Sequence, residues 1–285
     1  MRLIFELTQL CNMQCRYCKA DKSDESLSID VLEKVCNVIH ARNRIDYITL
    51  TGGEPLLYRH LDKAIAICNK YTSNILLLSN GLLIDGKEII NLLCKYDVEV
   101  QISLDSIATP YHDKFRGNQK RIIDNILKLK KSTDLEIGIV CVISRGNILE
   151  IPRLIEFCEK YEMGLDFELI DVDFCSELSL EHLTREDVLE MLKFLKPWGR
   201  NENNKMKYHL FKLSLQRNKY KPSICIGSRN TIVIHSDGTL SNCFHNKEIR
   251  YGNSMHSLSI YHALEGMKKK RDLNCFSHRC IGDFF

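Results

Sequence analysis

Eight residues near the start of the chain, Cys11-Asn12-Met13-Gln14-Cys15-Arg16-Tyr17-Cys18, carry three thiols spaced C-x3-C-x2-C. Thiolates are soft ligands, and three on one short loop can wrap one face of an inorganic cluster. They can supply three ligands to a four-iron cluster and leave its fourth iron open for a small molecule to bind and be reduced. Zinc is the competing reading. Structural zinc sites close a tetrahedron by pairing two short Cys/His hooks. Here the next cysteine is Cys36, inside an amphipathic helical pattern, and no histidine lies between. Catalytic zinc also keeps three protein ligands and a vacancy, but seldom three consecutive cysteines. The spacing favours a cluster over zinc, and either over incidental thiols.

The elements that must hold this loop follow from periodicity. Leu3-Ile4-Phe5-Glu6-Leu7 reads as an opening strand. Ser28 can cap a helix with the apolar face Leu32, Val35, Cys36 and Ile39. Strand Tyr47-Ile48-Thr49-Leu50 leads into Thr51-Gly52-Gly53-Glu54-Pro55 and a helix carrying Leu61, Ala64, Ile65 and Cys68. Strand Ile75-Leu76-Leu77-Leu78 ends at Ser79-Asn80-Gly81, before a helix with Ile89, Leu92, Leu93 and Tyr96. The strand at 98–103 ends at Ser103-Leu104-Asp105-Ser106, and residues 122–129 are helical. A fifth strand at 136–142, a helix at 151–161 and a sixth strand at 165–169 complete the series. Alternating β and α runs of this kind build a parallel sheet.

Six βα units are too few to close an eight-stranded barrel, so the expected fold is α/β: a partial (β/α)6 TIM-like barrel. Active sites in such folds sit at the carboxyl ends of the strands, where every segment quoted above falls. Cys36, Cys68 and Cys158 occupy sheet-facing helix positions and read as small core hydrophobes, with Cys94 and Cys141 also structural. The core spans 1–197; the polar stretch opening at Lys196-Pro197-Trp198-Gly199 predicts a linker over 198–221. A small β-hairpin plus helix domain is expected over 222–285.

A formal charge of +3 is too small to argue for nucleic acid or an anionic membrane, and Lys268-Lys269-Lys270-Arg271 reads as a solvated helix end. No signal peptide and no apolar run of the roughly 18 residues a span needs is visible. Thirteen cysteines then argue for metal or redox work in a reducing, cytoplasmic setting rather than for disulfides.

Four of those thiols, Cys225, Cys243, Cys275 and Cys280, fall in the last 61 residues. Thr231-Ile232-Val233-Ile234, the Asp237-Gly238 turn and Leu240 predict a hairpin that can bring Cys225 and Cys243 together. The helical run 258–270 would deliver Cys275 and Cys280 to the same point.

With these segments in view, the chain resembles the radical S-adenosylmethionine enzymes. Their hallmark is a C-x3-C-x-aromatic-C loop after the first strand, with Tyr17 here as the aromatic, and a GGEP-like segment after the second. The tail resembles the shortened twitch form of the SPASM domain, with Gly238 and Cys243 matching the last two elements of its pattern. That resemblance implies one auxiliary 4Fe-4S cluster on Cys225, Cys243, Cys275 and Cys280; the C-x4-C spacing of the final pair departs from the common C-x2-C. Zinc on the same four thiolates is the alternative.

The resemblance implies two 4Fe-4S clusters and S-adenosylmethionine as cofactors. The iron left open by Cys11, Cys15 and Cys18 would chelate S-adenosylmethionine, and one electron would cleave it to methionine and a 5′-deoxyadenosyl radical that abstracts hydrogen from a substrate carbon. Gly52, Gly53 and Glu54 would contact the methionyl amine, the glycines by allowing close approach and the carboxylate by complementing the ammonium. Ser103 matches a contact to the ribose or methionyl end, and Arg116 an arginine that pairs with the methionine carboxylate. Tyr17 would pack near the adenine, with Asn80 and Asp105 as further cofactor or substrate contacts.

An auxiliary cluster favours an oxidoreductase, because it can accept the electron a substrate radical must lose. Dehydrogenation of a small molecule and cross-linking of a ribosomal peptide both fit, with an external one-electron donor such as flavodoxin or ferredoxin. The absence of an N-terminal leader-gripping module tilts toward a small molecule or a peptide held by a partner. A redox-neutral epimerase is the alternative, with Cys175 returning hydrogen; Asp171 and Asp173 would instead serve as bases in an oxidation. The GTP cyclase of molybdopterin synthesis shares the core motifs, but its tail uses three cysteines and ends in Gly-Gly, unlike Gly282-Asp283-Phe284-Phe285. A non-catalytic iron–sulfur or zinc protein would need no ligand site at strand ends.

Overall fold

Short apolar strands alternating with amphipathic helices build a parallel sheet with the helices packed against it. The computed structural model has it, and describes residues 1–172, 175–217, 230–241, 250–254 and 256–268. Strands β1 (Arg2–Thr8), β2 (Tyr47–Gly52), β3 (Ile75–Ser79), β4 (Glu99–Ser103), β5 (Ile137–Ile143) and β6 (Gly164–Leu169) pair in succession, all parallel. Between them run α1 (Ile29–His40), α2 (Leu61–Cys68), α3 (Lys87–Lys95), α4 (Thr109–Phe115) with α5 (Gln119–Ser132), and α6 (Ile151–Lys160). Leu3, Phe5 and Leu7 of β1 are fully buried in one cluster with Leu32, Val35, Cys36 and Ile39 of α1. Each such side chain contributes roughly 1.5–3 kcal/mol relative to exposure. Cys36, Cys68, Cys141 and Cys158 are buried as expected, whereas Cys94 is exposed.

Two parts of the expected domain plan come out differently. Residues 198–217 are not an extended connector. After α7 (Arg185–Leu195), Trp198 sits in the core: its Nε1 donates to the Leu165 carbonyl at 2.8 Å and its ring stacks on Phe211 at 5.9 Å. Phe211 belongs to α8 (Glu202–Arg217), whose anchors lie beyond the polar run that suggested a linker.

The hairpin also does not stand apart. β7 (Thr231–Ile234) lies parallel beside β1, with Arg2 opposite Thr231 and Phe5 opposite Ile234. β8 (Thr239–Ser241) and β9 (Arg250–Asn253) follow antiparallel, so the nine described strands form one sheet in the order β6-β5-β4-β3-β2-β1-β7-β8-β9. Helix α9 (Ser257–Lys268) overlaps the expected helical run of 258–270, starting one residue earlier. Asp173, Lys269, Lys270, Arg271, Cys225, Cys243, Cys275 and Cys280 lie outside the described residues. No described helix is long and apolar enough to cross a membrane.

Candidate active site

The cysteine loop is fastened at its base and on two sides. Leu27 N donates to Leu7 O at 2.9 Å and Gln9 N to Glu25 O at 2.8 Å, closing the loop between them. Arg16 N donates to Phe115 O at 3.0 Å, tying the loop to α4. Asn80 Nδ2 donates to Asn12 Oδ1 at 2.7 Å, tying it to the end of β3. Asn80 is therefore a brace, its Oδ1 already accepting from Leu82 N at 3.0 Å.

Cys11 and Cys15 are half-buried, Cys18 is exposed, and all three thiols are free. Burial pushes the Cys11 thiol up, helped by Glu54 and the two neighbouring thiols, while the Met13 N–H pulls it back. Among the described residues no three His, Cys, Asp or Glu converge on a point as one ion requires. A cube of four irons needs its cysteines set farther apart. The loop fits a cluster by donor type: three thiols, none in a disulfide, on one short segment.

The two glycines that follow β2 are demanded by the chain itself. A Cβ on Gly52 would stand 2.3 Å from Thr8 O, and one on Gly53 2.3 Å from Leu10 O and 2.5 Å from Gln9 O. Gly53 N and Glu54 N each donate at 2.7 Å, to Thr8 O and Leu10 O. The missing side chains admit the backbone entering the cysteine loop, a structural demand beside the expected ligand approach. Glu54 is wholly buried: Oε1 accepts from Ser79 Oγ at 2.9 Å and Leu56 N at 3.1 Å, and Oε2 from Asn80 N at 2.7 Å. Burial raises its carboxyl, and these donors pull it back. Three of roughly four lone-pair positions are thus taken within the protein.

Asp105, 2% exposed, organises the other wall. It accepts from the Tyr17 hydroxyl, from Arg116 at 3.4 Å and from Val142 N at 3.0 Å. Burial alone would lower the Arg116 guanidinium, but Asp105, Tyr17 and Cys15 raise it, so it stays charged. Its Nε is buried with no hydrogen-bond partner, a donor suited to an anionic ligand. Tyr17, expected near an adenine, has its hydroxyl committed to Asp105. Ser103 is half-buried at the end of β4, two residues away. Asp105→Asn removes one partner of a buried pair, so the variant should lose about 3 kcal/mol of stability, read as a lower thermal midpoint. An unchanged midpoint would show that Asp105 does not hold Arg116.

His112 is buried in the same wall with both ring nitrogens unpartnered. Burial lowers it to about 4. A histidine depressed in the fold binds its proton mainly when unfolded, so stability falls as pH drops from about 6.5 toward 4. At about 1.4 kcal/mol per unit the loss approaches 3 kcal/mol. Denaturant titrations across this window should show it in the wild type and not in His112→Gln.

Sequence reasoning missed Lys207 of α8. Its ammonium, 4% exposed, bonds Asp166 at 2.8 Å and Glu168 at 2.5 Å, both on β6. The signal was present as acidic residues alternating with Leu165, Phe167 and Leu169. Asp171 pairs with Lys19 of the cysteine loop at 2.8 Å, and Cys175 is exposed in the turn beyond β6.

The three-thiol loop and the glycine-braced turn follow neighbouring parallel strands β1 and β2, and the buried Arg116 guanidinium closes the end of α4. The model of the Radical SAM superfamily matches residues 5–158, and the chain belongs to that superfamily. The sporulation killing factor maturation protein SkfB of Bacillus subtilis is 29% identical over 158 residues, which is 54% of this chain and 38% of SkfB. A GTP 3′,8-cyclase of Clostridium botulinum is 26% identical over 267 residues, 87% of this chain and 82% of the cyclase. The structure of Streptococcus suis SuiB bound to S-adenosylmethionine shares the fold with a TM-score of 0.73 at 15% identity, covering 95% of this chain and 68% of SuiB.

Proposed function

We propose that this chain reductively cleaves S-adenosylmethionine and uses the product to oxidise a carbon of a peptide, with a small metabolite as the other candidate substrate. The observation that carries this reading is the free three-thiol loop locked to the glycine turn in a chain of this superfamily. When bound, a 4Fe-4S cluster and S-adenosylmethionine supply a 5′-deoxyadenosyl radical that removes a hydrogen atom. Cys11, Cys15 and Cys18 would hold the cluster. Arg116, held charged by Asp105, would take the methionine carboxylate through its free Nε–H, and the backbone at Gly52 and Gly53 would face the amine. Ser103 would contact the ribose or methionyl end. Glu54 and Asn80 fix these elements in place.

The names of SkfB, a maturation protein, and of SuiB solved with its precursor peptide support a peptide substrate. An auxiliary 4Fe-4S cluster on Cys225, Cys243, Cys275 and Cys280 would accept the second electron, and flavodoxin or ferredoxin would deliver the first. Cys175 lacks the shelter that a thiol returning hydrogen to a radical needs, which favours oxidation over epimerisation. Anaerobic reconstitution with dithionite and S-adenosylmethionine tests the reading: 5′-deoxyadenosine should form, with deuterium from a labelled substrate. Absence of 5′-deoxyadenosine would sink it, and conversion of added GTP would assign the chain to the cyclases instead.

A further inference from the structure

The turn between β7 and β8 sits on the base of the cysteine loop. Ser236, 5% exposed, accepts from Gln9 Nε2 at 3.1 Å and donates to Glu25 Oε1 at 2.5 Å. Gln9 and Glu25 are the residues whose backbones close the loop, so one hydroxyl joins both of its ends. Beside it, His235 Nδ1 meets Glu6 Oε2 at 2.5 Å and Nε2 meets Ser241 Oγ at 2.9 Å. An ionised carboxylate only accepts, so Nδ1 carries the proton, and in the neutral ring Nε2 accepts from the serine. Glu6 stands five residues before Cys11, and Ser241 two before Cys243.

These polar contacts are not needed to dock the hairpin. Ile232 and Ile234 are fully buried, and β7 already pairs with β1 along its length. Burying an additional hydroxyl, imidazole and carboxylate costs free energy unless each is satisfied, so their return is a fixed geometry more than net stability.

We propose that Ser236 and His235 are positioning residues through which the C-terminal hairpin sets the cysteine loop and hence the fit of S-adenosylmethionine. This rests on the cluster reading given above. The hydroxyl spans the loop's two ends and holds them in one register, while the imidazole fixes Glu6 on the strand that feeds it.

The test uses the full chain, anaerobically reconstituted, as wild type, Ser236→Ala, Ser236→Thr and Glu25→Gln. Two quantities are read: the change in the reduced cluster's electron paramagnetic resonance spectrum on adding S-adenosylmethionine, and KM for S-adenosylmethionine in the cleavage assay. Ser236→Ala should keep its iron, show a broadened and weakened spectral change, and raise KM about tenfold with a smaller change in kcat, the size expected from losing a bond to a charged group. Ser236→Thr should restore both. Glu25 is exposed, so Glu25→Gln keeps the fold if Ser236→Ala does not, and should raise KM about threefold. A wild-type spectrum and KM in Ser236→Ala, or in Glu25→Gln should the former not fold, would overturn the proposal. So would a folded Ser236→Thr that fails to restore them. If the wild type itself makes no 5′-deoxyadenosine, the cluster reading has failed and this inference falls with it.

Discussion

Changing Cys11, Cys15 and Cys18 together to alanine should remove one cluster's worth of iron and bring 5′-deoxyadenosine release to background. The expected loss is the whole rate enhancement, which for enzymes is about a millionfold or more. None of the three thiols is needed for packing to the degree that Cys36 or Cys68 is, since two are half-buried and one is exposed. The variant should therefore keep its secondary structure, and iron still bound would be assigned to the C-terminal cysteines. Retained cleavage in a folded triple variant would refute the role given to the loop.

The second large effect concerns a residue that can touch no ligand with a side chain. Gly53→Ala would place a methyl 2.3 Å from Leu10 O and 2.5 Å from Gln9 O, against backbone that cannot rotate away. The loop entry must shift by a substantial fraction of an ångström. Misplacement on that scale costs about a hundredfold in rate, and cleavage should fall at least that far. Gly138→Ala is the matched control: its added carbon meets nothing closer than 3.8 Å, and its cleavage rate should be unchanged. A fully active Gly53→Ala would mean that the loop is not held where the geometry places it.

Strand positions were legible because runs such as Ile75-Leu76-Leu77-Leu78 are short, apolar and bounded by turn residues. The cysteine loop and the glycine turn were legible because their chemistry is local. What escaped was decided by distant partners. Nothing in Thr231-Ile232-Val233-Ile234 says that its second neighbour is β1, and the polar segment after Trp198 hides anchors at Phe211 and Leu215. Helix α4 was missed because seven residues with a proline in the first turn carry too little periodicity. Glu54 reads in sequence as a ligand-facing carboxylate, and only the fold reveals Ser79, Asn80 and Leu56 around it.

The parallel pairing of β1 with β7 has a consequence for biosynthesis. Glu6 and His235 are separated by 229 positions, so β1 leaves the ribosome well before the β7 strand it pairs with. At roughly 5–20 residues per second that interval lasts on the order of ten to fifty seconds. Throughout it, one flank of β1 presents unpaired amides and carbonyls, the template on which nascent chains stick to one another. A messenger truncated ahead of the codons for β7 would leave that flank bare for good, yielding inclusion bodies rather than a smaller working protein.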